Sequence, residues 1–208
     1  MATTNTGAFI VLEGGEGSGK STQVERLAAR LRADDRDVVE TFEPGGTARG
    51  GRLRAALLDD DTPLDARAEL LLMAADRAQH IAEVIAPAVA RGAVVVCDRF
   101  SPSSLVYQGV ARGLGVDVVA AIDAVAARDA HPDVVVVLDV DDAIARERRP
   151  EARDRFERAG AEFHARVRAG YRDLARDRDW VVVDGAAAPD VVASAVWSAV
   201  EPHLPPVR

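Results

Sequence analysis

Cysteine is nearly missing from this chain of 208 residues: Cys97 stands alone, which excludes an intramolecular disulfide. It ends the apolar run Ala93-Val94-Val95-Val96, where a small buried side chain without chemistry is expected. No apolar stretch is long enough to cross a bilayer, and residues 1–7 lack the charged and apolar segments of a secretory signal. A cytoplasmic location with no membrane partner is therefore expected. Positive charge is in deficit, with 34 acidic against 26 basic residues and a formal net charge of -8, which argues against a broad nucleic-acid footprint. Small phosphorylated ligands stay open, because a pocket needs only a few local arginines. No linker, internal repeat or low-complexity tract interrupts the chain, so one domain over residues 1–208 is expected. The scarcest basic residue is lysine: 25 of the 26 basic side chains are arginine, and the exception is Lys20.

Lys20 lies within Gly14-Gly15-Glu16-Gly17-Ser18-Gly19-Lys20-Ser21, a complete GxxxxGK[ST] phosphate loop followed by Thr22. The flanks agree with the pattern. Phe9-Ile10-Val11-Leu12 is a short apolar run suited to a buried strand, and residues 23–31 carry apolar side chains at helical spacing. In such a loop the glycines let backbone N–H groups turn towards phosphate oxygens, and the following helix directs its positive dipole end to the same place. Residues 14–22 are accordingly read as an ATP site. Lys20 would reach the β- and γ-phosphates, and Ser21 would offer a hydroxyl to Mg²⁺ bridging them.

Five apolar runs read as buried strands, at about residues 8–13, 38–42, 93–98, 133–140 and 180–184, with helical stretches between them. This alternation predicts an α/β fold with a five-stranded parallel sheet covered by helices on both faces. Ligands on such sheets bind beyond the carboxyl ends of the strands, so Glu13, Glu43, Asp98, Asp139 and Asp184 should sit near one rim, several of them functional. The pattern over residues 63–91 predicts a long helix.

Three further segments narrow the class: Glu43-Pro44-Gly45-Gly46-Thr47 after the second strand, Asp98-Arg99-Phe100 after the third, and Tyr107-Gln108-Gly109 just beyond. Together with the phosphate loop they resemble bacterial thymidylate kinases, members of the P-loop NTPase fold, in order and spacing and almost end to end. The segment from Ala74 to His80, the residues Ser103, Ser104, Arg112 and Gly113, and the stretch Asp154-Arg155-Phe156-Glu157 extend the likeness. The resemblance implies transfer of the γ-phosphoryl group of ATP to dTMP without a covalent intermediate, with Mg²⁺ as cofactor, and a homodimer. It places Arg99 at the monophosphate, Arg77, Ser104 and Gln108 at the base, and Glu16 near the deoxyribose 3′-hydroxyl. Glu43, Pro44, Met73, Ser103 and Tyr107 complete the implied acceptor site. Asp98 would organise Mg²⁺ through water, with Glu43 a second candidate for that work.

Arginines crowd the stretch at about 146–158, which the resemblance makes a short lid over ATP. In the family resembled, a loop without arginine goes with an arginine supplied by the lid; Glu16-Gly17-Ser18 contains none, so the resemblance implies one from the lid at the transferred phosphate, with Arg148 and Arg149 as candidates. Four positions depart from the family pattern, among them Arg49 and Gly51, which replace the usual apolar and acidic residues after Gly46-Thr47. Met73 stands where many relatives place Phe or Tyr against thymine, and Phe42 where arginine commonly precedes Glu-Pro-Gly-Gly. Met73 and Phe42 motivate a second reading, a related kinase for another pyrimidine monophosphate; a third, a nucleotide-binding module that no longer transfers phosphate, is disfavoured by the presence of Lys20, Ser21, Arg99 and the arginine-rich stretch.

Overall fold

The computed structural model describes residues 7–58, 64–148, 156 and 158–206. Its centre is a parallel sheet of five strands, β1 (Ala8–Gly14), β2 (Val38–Phe42), β3 (Val94–Asp98), β4 (Val134–Asp139) and β5 (Val181–Asp184), in the order β2-β3-β1-β4-β5. All four strand pairings are parallel, as the continuous apolar runs predict. The central strand shows why those runs do not alternate. Phe9 and Val11 enter one core cluster with Val95, Cys97 and Tyr171, while Ala8, Ile10 and Leu12 enter another with Leu27, Leu31 and Trp197. With both faces covered, the run Ala8 to Leu12 is apolar at every position. Cys97 is fully buried there, and burial pushes its thiol well above the usual range, in keeping with a packing role.

The helices are α1 (Lys20–Ala33), α2 (Ala48–Leu58), α3 (Ala66–His80), α4 (Ala86–Ala90), α5 (Ser101–Ser104), α6 (Val116–Ala127), α7 (Asp142–Glu147), α8 (Ala161–Asp177) and α9 (Pro189–Val200). The helical run anticipated over 63–91 exists from Ala66, but it is not uniform. α3 passes through a π-turn at Ile81–Ile85 before α4. Pro87 sits in the first turn after that register change, where its missing N–H is tolerated. A second π-helical stretch, Leu105–Ala111, continues α5 and carries Tyr107 and Gln108. Most of the proposed lid, including Arg149, lies outside the described residues.

Candidate active site

The phosphate loop joins β1 to α1. Gly14 has φ +140°, and a Cβ there would come within 2.5 Å of the Leu138 carbonyl, so the strand can turn beside β4 only with glycine. Gly19 precedes α1 in the left-handed region at φ 92°. Lys20 is buried, and its Nζ donates to the carbonyls of Gly14 at 3.2 Å and Gly15 at 2.9 Å. Burial and then the charge of Arg99 lower its pKa, against the pull of Asp98, Glu16 and Glu13. Beside it Ser21 Oγ donates to Asp98 Oδ2 at 2.9 Å, so β3 and α1 bring together the two residues expected at a metal.

Arg99 follows β3 with a left-handed backbone, φ 71°. Its Nη1 donates to the Gly14 carbonyl at 3.0 Å, to Ser103 Oγ at 3.1 Å and to Tyr171 Oη at 3.3 Å, while Nη2 pairs with Glu16. The guanidinium also lies 5.1 Å from the centre of the Tyr107 ring, whose hydroxyl donates to Glu16 at 3.3 Å. The phosphate loop, the turn after β3 and α8 therefore meet around one arginine.

A second ionic group lies deeper. Arg77, on α3, is 2% exposed and donates through Nε to Glu43 Oε2 at 2.9 Å, through Nη1 to Asp123 Oδ1 at 2.7 Å and through Nη2 to Ser104 Oγ at 3.1 Å. Glu43 Oε1 faces His80 Nδ1 at 2.9 Å, and the other His80 nitrogen meets Thr41 Oγ1. Both Glu43 oxygens thus have protein partners, and the Glu43–Pro44 peptide bond is cis. A buried guanidinium is tolerated here because two carboxylates and a hydroxyl meet it.

These groups border one cavity of about 1020 Å³. Glu16, Gly17, Gly19, Lys20, Ser21 and Thr22 line one side; Glu43, Pro44, Met73, Arg77, Asp98, Arg99, Ser103, Ser104, Tyr107 and Gln108 line the rest, and Arg148 also borders it. Arg148 is held by the carbonyls of Gly185 and Ala186, at 2.9 and 3.4 Å. Gly15 and Ser18 instead border a neighbouring cavity of about 360 Å³ between the loop, β4 and α8. Met73 packs against the core edge while facing the large cavity. Phe42 is half exposed, and the Arg54 guanidinium lies 5.7 Å from its ring centre while donating to the Pro44 carbonyl at 2.7 Å.

The rim carboxylates divide by role. Asp139 is paired with Arg168 at 2.8 Å and Arg172 at 3.4 Å, and Asp184 accepts from the Ala186 N–H at 2.9 Å, so these two stabilise the framework. Glu13 is fully buried and accepts from Phe100 N at 2.8 Å, Ser103 N at 3.1 Å, Ser103 Oγ at 2.7 Å and Tyr171 Oη at 2.7 Å. Burial raises its pKa above the ordinary 4.5, although Arg99 and these hydrogen bonds work the other way. The folded protein thus holds this proton more tightly than the unfolded chain. The associated stability is present below pH 4.5 and is lost as pH rises through the folded-state pKa. Glu13→Gln is fixed in the neutral form and should gain stability relative to the parent as pH rises from 4.5 through the folded-state pKa of Glu13. Urea unfolding across that range checks it; parallel stability curves would remove Glu13 from the pH dependence.

Glu69, Asp123, His80, Tyr171 and Arg54 were not anticipated as partners of the site. One signal for some of them is present in the sequence: Glu69, Asp76, Arg77 and His80 are polar yet recur at helical spacing on the buried face of α3.

A parallel sheet with a phosphate loop on one side of its rim and a second, arginine-lined pocket facing the same cavity is the architecture of a P-loop kinase acting on small phosphorylated molecules. The thymidylate kinase family model matches residues 12–196, and the chain belongs to that family. It is 51% identical to a thymidylate kinase of Solidesulfovibrio magneticus, over 92% of this chain and 98% of the relative, and 43% identical to one of Deinococcus radiodurans, over 93% and 96%. The crystal structure of thymidylate kinase from Ehrlichia chaffeensis superposes with a TM-score of 0.76 at 30% identity, covering 93% of this chain and 98% of that one.

Proposed function

We propose that this protein transfers the γ-phosphoryl group of ATP to dTMP, giving ADP and dTDP for dTTP synthesis. The observation that carries the reading is the single cavity in which the phosphate loop and the arginine-lined acceptor pocket face one another. Phosphoryl transfer needs two polyanions aligned and neutralised more than it needs a nucleophile activated, because the acceptor monophosphate is already anionic. In this reading Lys20 and the loop N–H groups hold the β- and γ-phosphates, and Arg99 holds the acceptor phosphate. Glu16 and Tyr107 face the sugar, and Arg77, Ser104, Gln108 and Met73 the base. Arg148, at the cavity border, would serve the transferred group; Arg149 keeps the same candidacy from the sequence alone.

Ser21 and Asp98 fit Mg²⁺ as hard oxygen donors in hydrogen-bond contact at the loop. Bound there, the ion would neutralise charge on the phosphates it bridges. Among the described residues no group of three or more His, Cys, Asp and Glu is arranged to hold a metal. The ion would therefore rely on phosphate and water oxygens for most of its ligands, a common arrangement for Mg²⁺.

The same reading takes residues 1–208 as one domain in the cytoplasm, acting on nucleotides and not on nucleic acid. Packing of α9 against α1 and β5 supports the single domain. Among the described residues no helix is long and apolar enough to cross a membrane. A homodimer is supported by exposed Leu71 on α3 and Val118 and Val125 on the adjoining α6. The test is ADP formation with ATP and Mg²⁺ across dTMP, dUMP, dCMP, dGMP, UMP and AMP. Preference for dTMP is expected. Preference for another monophosphate would change the substrate, and no acceptor-dependent ADP would overturn the reading.

A further inference from the structure

Glu69 lies on α3 with 0% exposure, away from the phosphates, and plays no part in the transfer described above. Its Oε1 accepts a 2.6 Å hydrogen bond from Gln108 Nε2, and its Oε2 pairs with Arg112 at 3.3 Å. A carboxylate facing a guanidinium is an acceptor only, so it can be satisfied by the NH₂ end of the Gln108 amide and not by its carbonyl. Gln108 is 1% exposed and sits in the π-helical stretch, leaving its side chain little freedom. Its Oε1 makes no hydrogen bond among the described residues, and Gln108 lines the large cavity together with Arg77.

The geometry points to Glu69 as a positioning residue that sets the polarity of base recognition by fixing which end of the Gln108 amide faces the acceptor. Arg77 can only donate. With Glu69 in place, the pocket therefore offers the Arg77 N–H groups left over from its contacts with Glu43, Asp123 and Ser104, together with one acceptor, Gln108 Oε1. That pair complements the O4 and N3–H of a 4-oxo pyrimidine. It opposes the amino group and unprotonated N3 of a 4-amino pyrimidine, where donor would meet donor and acceptor would meet acceptor. This inference rests on the proposed dTMP site and names what makes that site reject cytosine-type bases.

The experiment compares kcat/KM for dTMP and 5-methyl-dCMP, which share the methyl group and differ at positions 3 and 4. In Glu69→Gln the neighbouring amide can donate as well as accept, so Gln108 is released to turn its NH₂ towards the base. The preference for dTMP is expected to fall at least about tenfold, through a higher KM for dTMP and an absolute gain with 5-methyl-dCMP, while the KM for ATP is unchanged. A merely structural role would depress both acceptors together; that result, or an unchanged ratio, would overturn the inference. If Glu69→Gln does not fold, Gln108→Met leaves the Glu69–Arg112 pair intact and reads the same amide. Its preference should also fall, and an unchanged ratio again overturns the idea. Turnover of the parent protein tests the reaction itself; should it prefer a different 4-oxo pyrimidine, the ratio is taken with that base and its 4-amino counterpart.

Discussion

Replacing Lys20 with methionine is expected to lower kcat about 10²–10³-fold while the protein stays folded. The ammonium rests on two loop carbonyls, Gly14 and Gly15, in a buried setting that lowers its pKa. Anionic phosphate oxygens in place of those carbonyls would favour the charged form, so the interaction strengthens where negative charge accumulates during transfer. Methionine keeps an apolar stem of similar length, and the lost contacts are confined to the loop. Steady-state kinetics with a thermal melt check both halves. A melting temperature within about 5 °C of the parent is expected. Unfolding would instead make Lys20 part of the framework, and unchanged kcat would take it out of the chemistry.

For Arg99→Met a loss in kcat of about 10³-fold is expected, with ATP binding nearly unaltered. Arg99 sits where the loop, the turn after β3 and α8 converge, and its Nη2 pairs with Glu16 at the edge of the cavity. Its fork can move from protein oxygens onto two phosphate oxygens without losing a planar, bidentate geometry. Arg99→Lys should recover only a small part of the rate, because a point charge cannot reproduce that geometry. ATP affinity measured calorimetrically without acceptor separates the two sites. A large loss there would assign Arg99 to the donor side, and unchanged turnover would remove it from the mechanism.

Local patterns carried much of this molecule. The central strands β1, β3 and β4 were legible because a sheet covered on both faces needs uninterrupted apolar runs, and β1 supplies both core clusters from the consecutive buried residues Ala8, Phe9, Ile10, Val11 and Leu12. The phosphate loop was legible because its glycines answer a local backbone demand, as Gly14 and Gly19 show. Rim carboxylates were harder to sort, since position at a strand end does not say what a side chain faces. Asp98 turned towards Ser21, whereas Asp139 met Arg168 on α8. The continuous helical pattern over 63–91 likewise hid a π-turn, because inserting one residue shifts the register without removing the apolar stripe.

By itself the sequence determined the α/β class and the place of the phosphate loop between β1 and α1, because each depends on short-range spacing and backbone preference. Tertiary structure alone decided how those residues are used. Glu13 meets Tyr171 across 158 positions, Arg77 meets Asp123 across 46, and Glu69 meets Gln108 across 39. A buried charge or amide takes its orientation from whichever partner the fold brings within hydrogen-bond reach, and no local pattern encodes that meeting.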